Sequence, residues 1–227
     1  MSDQRQNTPP PPVALAAEAP RAENELSEEE FHRWYGPWRA LSPVEVRELL
    51  EGCGFSWWVA GGWALEAAGA ASRHHEDTDI VVLRRDLPAI RAWLSAFHLW
   101  QADSGALRPL LPAREMPDES HQLWMRKDSS GPWLLDLLVS PSEGDDWISR
   151  RHDRIRRPLD DVGWIGPDDV PYLKPEIVLL FKAKNTRPKD AQDFDSLKDR
   201  LDPSALSFLR DSLSMAHPEH AWLGVFG

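Results

Sequence analysis

A strand that is apolar on both faces has to run through the middle of a sheet covered on both sides. Residues 132–140, PWLLDLLVS, are such a run, and one carboxylate, Asp136, interrupts it. An ionised group among leucines is costly without a partner, so Asp136 needs a compensating charge. A second strand, TDIVVLR, starts at a pair of carboxylates, Asp77 and Asp79, before turning aliphatic. Alternate residues of a strand share a face, so Asp77 and Asp79 project together, about 7 Å apart along the backbone. Two negative charges pointing the same way are tolerated if solvated or if a divalent cation neutralises them. Hard oxygen ligands of this sort suit Mg²⁺, above all where a substrate's phosphates complete the shell.

Local signals around these strands set out an α+β order. Ser27 with Glu30 and Ser42 with Glu45 have capping-box spacing and begin two short helices, the second opened by Pro43 and stopped by Gly52 and Gly54. FSWWVAGG reads as a short strand ending in Gly61 and Gly62, and WALEAAGA returns to helix formers. DLPAIRAWLSAFH is a helix, HQLWMRK a strand, and the basic stretch WISRRHDRIRRP a strand pair or an exposed extension. From residue 172 the period turns helical, with helices at about 175–184, 188–198 and 201–215. Trp57, Trp58, Trp63, Trp93 and Trp133 sit in apolar settings and belong mainly to the core. The expected division is a Pro-rich disordered tail over 1–24, a catalytic domain over 25–160 and a C-terminal helical segment over 161–227.

Composition narrows the function classes. The single cysteine, Cys53, allows no internal disulfide, and no Cys/His spacing fits a structural zinc site. No apolar run approaches the roughly 20 residues of a membrane span, and VALAA is short for a signal peptide, so a cytoplasmic location is expected. A formal net charge of −11 opposes binding to bulk DNA or RNA and is compatible with a cationic partner.

If the Asp136 strand lies beside the Asp79 strand, three acids converge, an arrangement able to hold metal ions for in-line phosphoryl chemistry. Gly61 and Gly62, lacking side chains, let backbone N–H groups approach a phosphate. Lys182, Lys184, Arg187 and Lys189 cluster within eight residues and can reach a triphosphate, with Asp190 and Asp193 as partners for these bases.

Gly61-Gly62, Asp77-x-Asp79 and Asp136 resemble the signature of the polymerase-β-type nucleotidyltransferase superfamily. GGWAL followed by RHHEDTDI is similar, more narrowly, to the small aminoglycoside adenylyltransferases, with Arg73, His75, Asp77 and Asp79 at the pattern positions. The resemblance spans about residues 55–195. It implies a mixed sheet flanked by helices, with Asp77, Asp79 and Asp136 catalytic and metal-binding, and Gly61, Gly62, Arg73, His75, Lys182 and Lys184 at the nucleotide. It further implies Mg²⁺-dependent transfer of a nucleoside monophosphate, from ATP, to an acceptor hydroxyl with release of pyrophosphate. Asp136 binds a metal, deprotonates the hydroxyl, or both. The expected acceptor is a small aminoglycoside-like antibiotic, with Glu143, Asp145 and Asp146 as candidate partners for its ammonium groups. Transfer to a protein or tRNA, and a catalytically silent nucleotide-binding module, are the alternatives.

Overall fold

The computed structural model describes residues 27–103 and 105–226, so the Pro-rich tail expected over 1–24 lies outside the described residues. Helices α1 (Glu28–Tyr35) and α2 (Pro43–Leu50) open the described chain. Both carry the expected capping box: the Ser27 and Ser42 hydroxyls accept from the Glu30 and Glu45 amides at 3.2 and 3.3 Å, and the two carboxylates accept in return from the serine amides at 3.0 and 2.7 Å.

Strand β1 (Trp57–Val59) turns at the glycines into α3 (Gly61–Ala67) and is followed by β2 (Asp79–Leu83), α4 (Leu87–Trp93), β3 (His98–Asp103) and β4 (Ala106–Pro109). Then come β5 (Gln122–Arg126), β6 (Trp133–Ser140), β7 (Ser142–Glu143), β8 (Asp146–Ile148), β9 (Arg156–Pro158), β10 (Gly163–Ile165) and β11 (Pro171–Leu173). Helices α5 (Pro175–Lys182), α6 (Pro188–Leu197) and α7 (Pro203–Ala216) complete the α+β order.

Eight strands form one mixed sheet in the order β10-β11-β1-β2-β6-β5-β3-β4, and β7-β8-β9 form a separate antiparallel sheet. Within the large sheet β1 pairs parallel with β11, and β2 parallel with β6. The two strands that looked most buried are thus neighbours at its middle: Ile80, Val81, Val82 and Leu83 face Leu137, Val139 and the rest of β6 with almost no exposure. Helix α3 packs on β2 and β11, and α5 packs on α3, α6 and α7, which brings the C-terminal helices over the start of β2.

One open alternative is resolved and two features differ from the sequence-based expectation. The basic stretch after residue 147 is the strand pair β8–β9 rather than an extension. The chain past residue 160 is not helical at once: β10 and β11, short apolar pieces separated by the turn residues of GPDD, first add to the edge of the large sheet beside β1. Trp93 is 42% exposed, held at the surface by its indole N–H donating to the Leu49 carbonyl at 2.9 Å, whereas Trp133 is fully buried. Among the described residues no helix is long and apolar enough to cross a membrane.

Candidate active site

Thr78, between the two aspartates, fixes where they point. It is completely buried and its hydroxyl donates to the Leu41 carbonyl at 2.6 Å, so by strand alternation Asp77 and Asp79 turn to the other side. The Asp136 amide donates to the Thr78 carbonyl at 2.9 Å, and the parallel register places Asp79 opposite Asp136. Asp77 lies in the exposed loop ahead of β2, Asp79 is half-buried, and Asp136 is 4% exposed. Among the described residues no three His, Cys, Asp or Glu side chains close into a finished metal cage. The arrangement is a carboxylate pair with a third acid at its rim.

Asp136 is held asymmetrically. Its Oδ2 accepts from the Gln122 amide at 2.5 Å and from the Trp124 indole at 3.2 Å, while its Oδ1 is buried with no hydrogen-bond partner among the described residues. Burial and the Asp79 charge push the Asp136 carboxyl well above the ordinary carboxylate range. Burial first, then the Asp77 charge, raises Asp79 to about 7, against the pull of Lys182, Arg187 and Lys189.

The glycines serve this pair in different ways. Gly61 has φ +60° and lies so close to Asp79 that a Cβ there would run into its carboxylate. A Cβ at Gly62 would instead collide with the side chains of His75 and Arg73. Those two residues have protein partners of their own. His75 Nε2 lies 2.8 Å from Glu66 Oε2, its ring packs 4.4 Å from that of Trp63, and its side chain is 3% exposed. Arg73 reaches Asp193 at 3.4 Å. Burial pushes the His75 imidazole down despite the Glu66 bond. Gly62, Arg73 and His75 therefore form one packed turn behind the carboxylates.

Of the two lysines expected at the nucleotide, Lys182 is 9% exposed, paired with Asp190 at 2.6 Å and Asp193 at 3.7 Å, and still acts on Asp79 through space. Lys184 is exposed and acts on His217 instead, because the chain leaves α5 after Lys182 in a 3-10 turn. Glu143, Asp145 and Asp146 do not flank the carboxylates. They follow Ser140, which pairs with Leu83 at the opposite end of β2 from Asp79, and Glu143 is bonded to Arg156 at 2.5 Å. Gln122, Trp124 and Arg150 at the site escaped the sequence reading. The only signals for them were a β5 segment of uncertain pairing and a run of arginines.

Residues 44–129 match the family model described as aminoglycoside-2''-adenylyltransferase. No curated relative matches the chain. Among solved structures the chain is similar to ANT(2'')-Ia in complex with adenylyl-2''-tobramycin, at 12% identity, 75% of this chain, 94% of that chain and a TM-score of 0.48. The solution structure of ANT(2'')-Ia, described as an antibiotic-resistance factor, gives 13%, 78%, 90% and 0.48. JHP933 from Helicobacter pylori gives 13%, 81%, 83% and 0.38. The segment similar to the aminoglycoside-2''-adenylyltransferase family model carries Gly61-Gly62 and Asp77-x-Asp79 and ends before Asp136.

Proposed function

We propose that the chain moves AMP from ATP to a hydroxyl of a small-molecule acceptor in a Mg²⁺-dependent reaction that releases pyrophosphate. The observation that carries this reading is the Asp79–Asp136 pair: two carboxylates in register on adjacent strands, with Asp136 Oδ1 buried and without a partner. Adjacent carboxylates at the head of a strand are the donor set a hard divalent cation takes, and Mg²⁺ keeps the remaining positions for water and phosphate. Asp77 and Asp79 are the residues that would hold it, with Asp136 Oδ1 left alongside as a proton acceptor, and there the cation would neutralise the triphosphate's charge.

The chain's own groups do the rest. The acceptor hydroxyl oxygen bonds to the α-phosphorus, the α–β bridging bond breaks, and the hydroxyl proton passes to Asp136 Oδ1. Gln122 and Trp124, both donating to Oδ2, leave Oδ1 as the oxygen that faces the reaction. Gly61 keeps the approach to Asp79 bare, while Arg73 and His75 hold the turn and Lys182 contributes positive charge from α5. An aminoglycoside acceptor is supported by the family description alone.

With labelled ATP, Mg²⁺ and a panel of hydroxylated acceptors, the wild-type chain should transfer label, and Asp79→Asn should abolish transfer while leaving the circular-dichroism spectrum intact. Turnover retained by Asp79→Asn would remove the carboxylate assignment.

A further inference from the structure

The cations on the two sides of the carboxylate pair differ in what they are bonded to. On the β1 side, where α5 and α6 close on Asp79, Lys182 is paired with Asp190 and Asp193, Arg187 with Asp190, and Arg73 with Asp193. On the other side, past Asp136 toward β5, Arg84, Arg150 and Arg151 gather round His121. Arg150 Nη1 donates to the His121 carbonyl at 3.1 Å; Arg84 donates to the Ser120 carbonyl, lies 3.4 Å from His121 Nδ1, and among the described residues has only the fully exposed Asp118, at 3.8 Å, as an ion-pair partner. All three arginines help to push the His121 imidazole down, after burial. His121 directly precedes Gln122, whose amide holds Asp136, and of the three arginines it is Arg150 whose charge reaches Asp136 and Asp79.

Arg150 and Arg151 are half-buried, and among the described residues neither has a carboxylate at ion-pair distance. Burial and the neighbouring Arg151 push Arg150 down to about 10, with Asp136 and Asp79 pulling the other way. Uncompensated arginines that have left bulk water are costly to keep. Here they sit in a chain whose formal net charge is −11. The guanidinium group matches phosphate geometry better than any other side chain.

In-line displacement decides which substrate meets them. The entering hydroxyl and the leaving pyrophosphate lie opposite each other across the α-phosphorus. Gly61 abuts Asp79 from the β1 side, and Asp136 stands between Asp79 and β5. A hydroxyl that gives its proton to Asp136 therefore enters from the β5 side, where Arg150 lies. We propose that the acceptor is a small hydroxylated phosphate ester, its phosphate held by Arg150 and Arg151, rather than a polycation. The proposal rests on the adenylyl-transfer reading for the direction of entry.

The test is calorimetric titration of ribose 5-phosphate into the full chain with Mg²⁺, with and without a non-hydrolysable ATP analogue. Ribose, an aminoglycoside and tRNA serve as the uncharged, polycationic and nucleic-acid arms. Ribose 5-phosphate should bind at least about tenfold more tightly than ribose. The double change Arg150→Gln, Arg151→Gln should erase that difference and leave the affinity for the ATP analogue within about twofold, while Arg150→Lys retains part of it and guards against a folding defect. An aminoglycoside binding as tightly as ribose 5-phosphate would overturn the proposal. So would a loss confined to the ATP analogue in the double variant, which would give the arginines to the triphosphate. Tighter binding of tRNA with the same arginine dependence would keep phosphate recognition and overturn the small-molecule source. Failure of the ATP analogue to bind would count against adenylyl transfer alone, because the titration without nucleotide still reads the arginines.

Discussion

Two carboxylate pairs lie within reach of Lys182, and their surroundings have opposite effects. Asp190 and Asp193 are buried at 1% and 5% exposure, yet burial, which alone would raise Asp190, is outweighed by the Arg187 and Lys182 hydrogen bonds, which bring it down to about 2. Asp79 and Asp136 have cations only at a distance and each other close by, and both are raised. A cation at bond distance makes a buried acid a fastening of the fold. A cation held back, with a second acid alongside, leaves charge for a ligand to satisfy. Lys182 takes part in both: it bonds the first pair and only influences the second.

The largest expected effect breaks the second pair. Asp136→Asn keeps a carbonyl to accept from Gln122 and Trp124 but removes the proton acceptor, so kcat for transfer should fall by about a thousandfold. Thermal unfolding of the metal-free variant should occur no earlier than in the wild type, since a like-charge contact has gone. A loss of stability with activity retained would make Asp136 a structural residue.

Breaking the first pair should do the reverse. Asp190→Asn leaves the Lys182 ammonium buried with a weaker neighbour and should cost about 3 kcal/mol in urea denaturation. A cost well under 1 kcal/mol would show that α5 and α6 are held together by their apolar contacts alone.

The two pairs should also separate by pH in the metal-free chain. Asp79, at about 7 against an ordinary 3.8, contributes stability that is complete below about pH 4 and is lost as the pH rises through 7. Asp190, at about 2, contributes stability that is present above about pH 4 and is lost as the pH falls through 2. Thermal midpoints from acid to neutral pH, with Asp79→Asn and Asp190→Asn as controls, should each lose one limb of that profile. The smallest effect is expected at Glu143→Gln: the exposed Glu143–Arg156 contact lies at the far end of β6, so stability and transfer rate should both stay at the wild-type level.

What could be read beforehand was mostly local. Ser27 with Glu30 and Ser42 with Glu45 carry their helix starts in four residues, and the apolar runs of β2 and β6 announce central strands because both of their faces must be covered. Asp79 opposite Asp136 followed from those two strands lying side by side. Partners fixed by tertiary packing could not be read. Gln122 reaches Asp136 only because β5 pairs with β6, and Arg150, 29 residues on from His121, reaches its carbonyl only through tertiary packing. The commitment of Lys182 to Asp190 and Asp193 was half legible, since acids and bases stood close in sequence, but not which of them would be consumed by pairing.

The parallel pairing of β2 with β6 also bears on how the chain folds. The two strands are separated by α4 and three other strands of the same sheet, so their contact is long-range and carries a large loop-closure cost. Its first rung is Asp79 against Asp136, where like charges oppose docking. Zippering of the sheet's centre is thus slowed at that rung, and a proton or a divalent cation that lowers the repulsion there would favour folding as well as the proposed reaction. On the proposed reading, a nascent chain would have no reaction centre until β6 has been synthesised, so topology alone would keep an incomplete polypeptide from handling nucleotide.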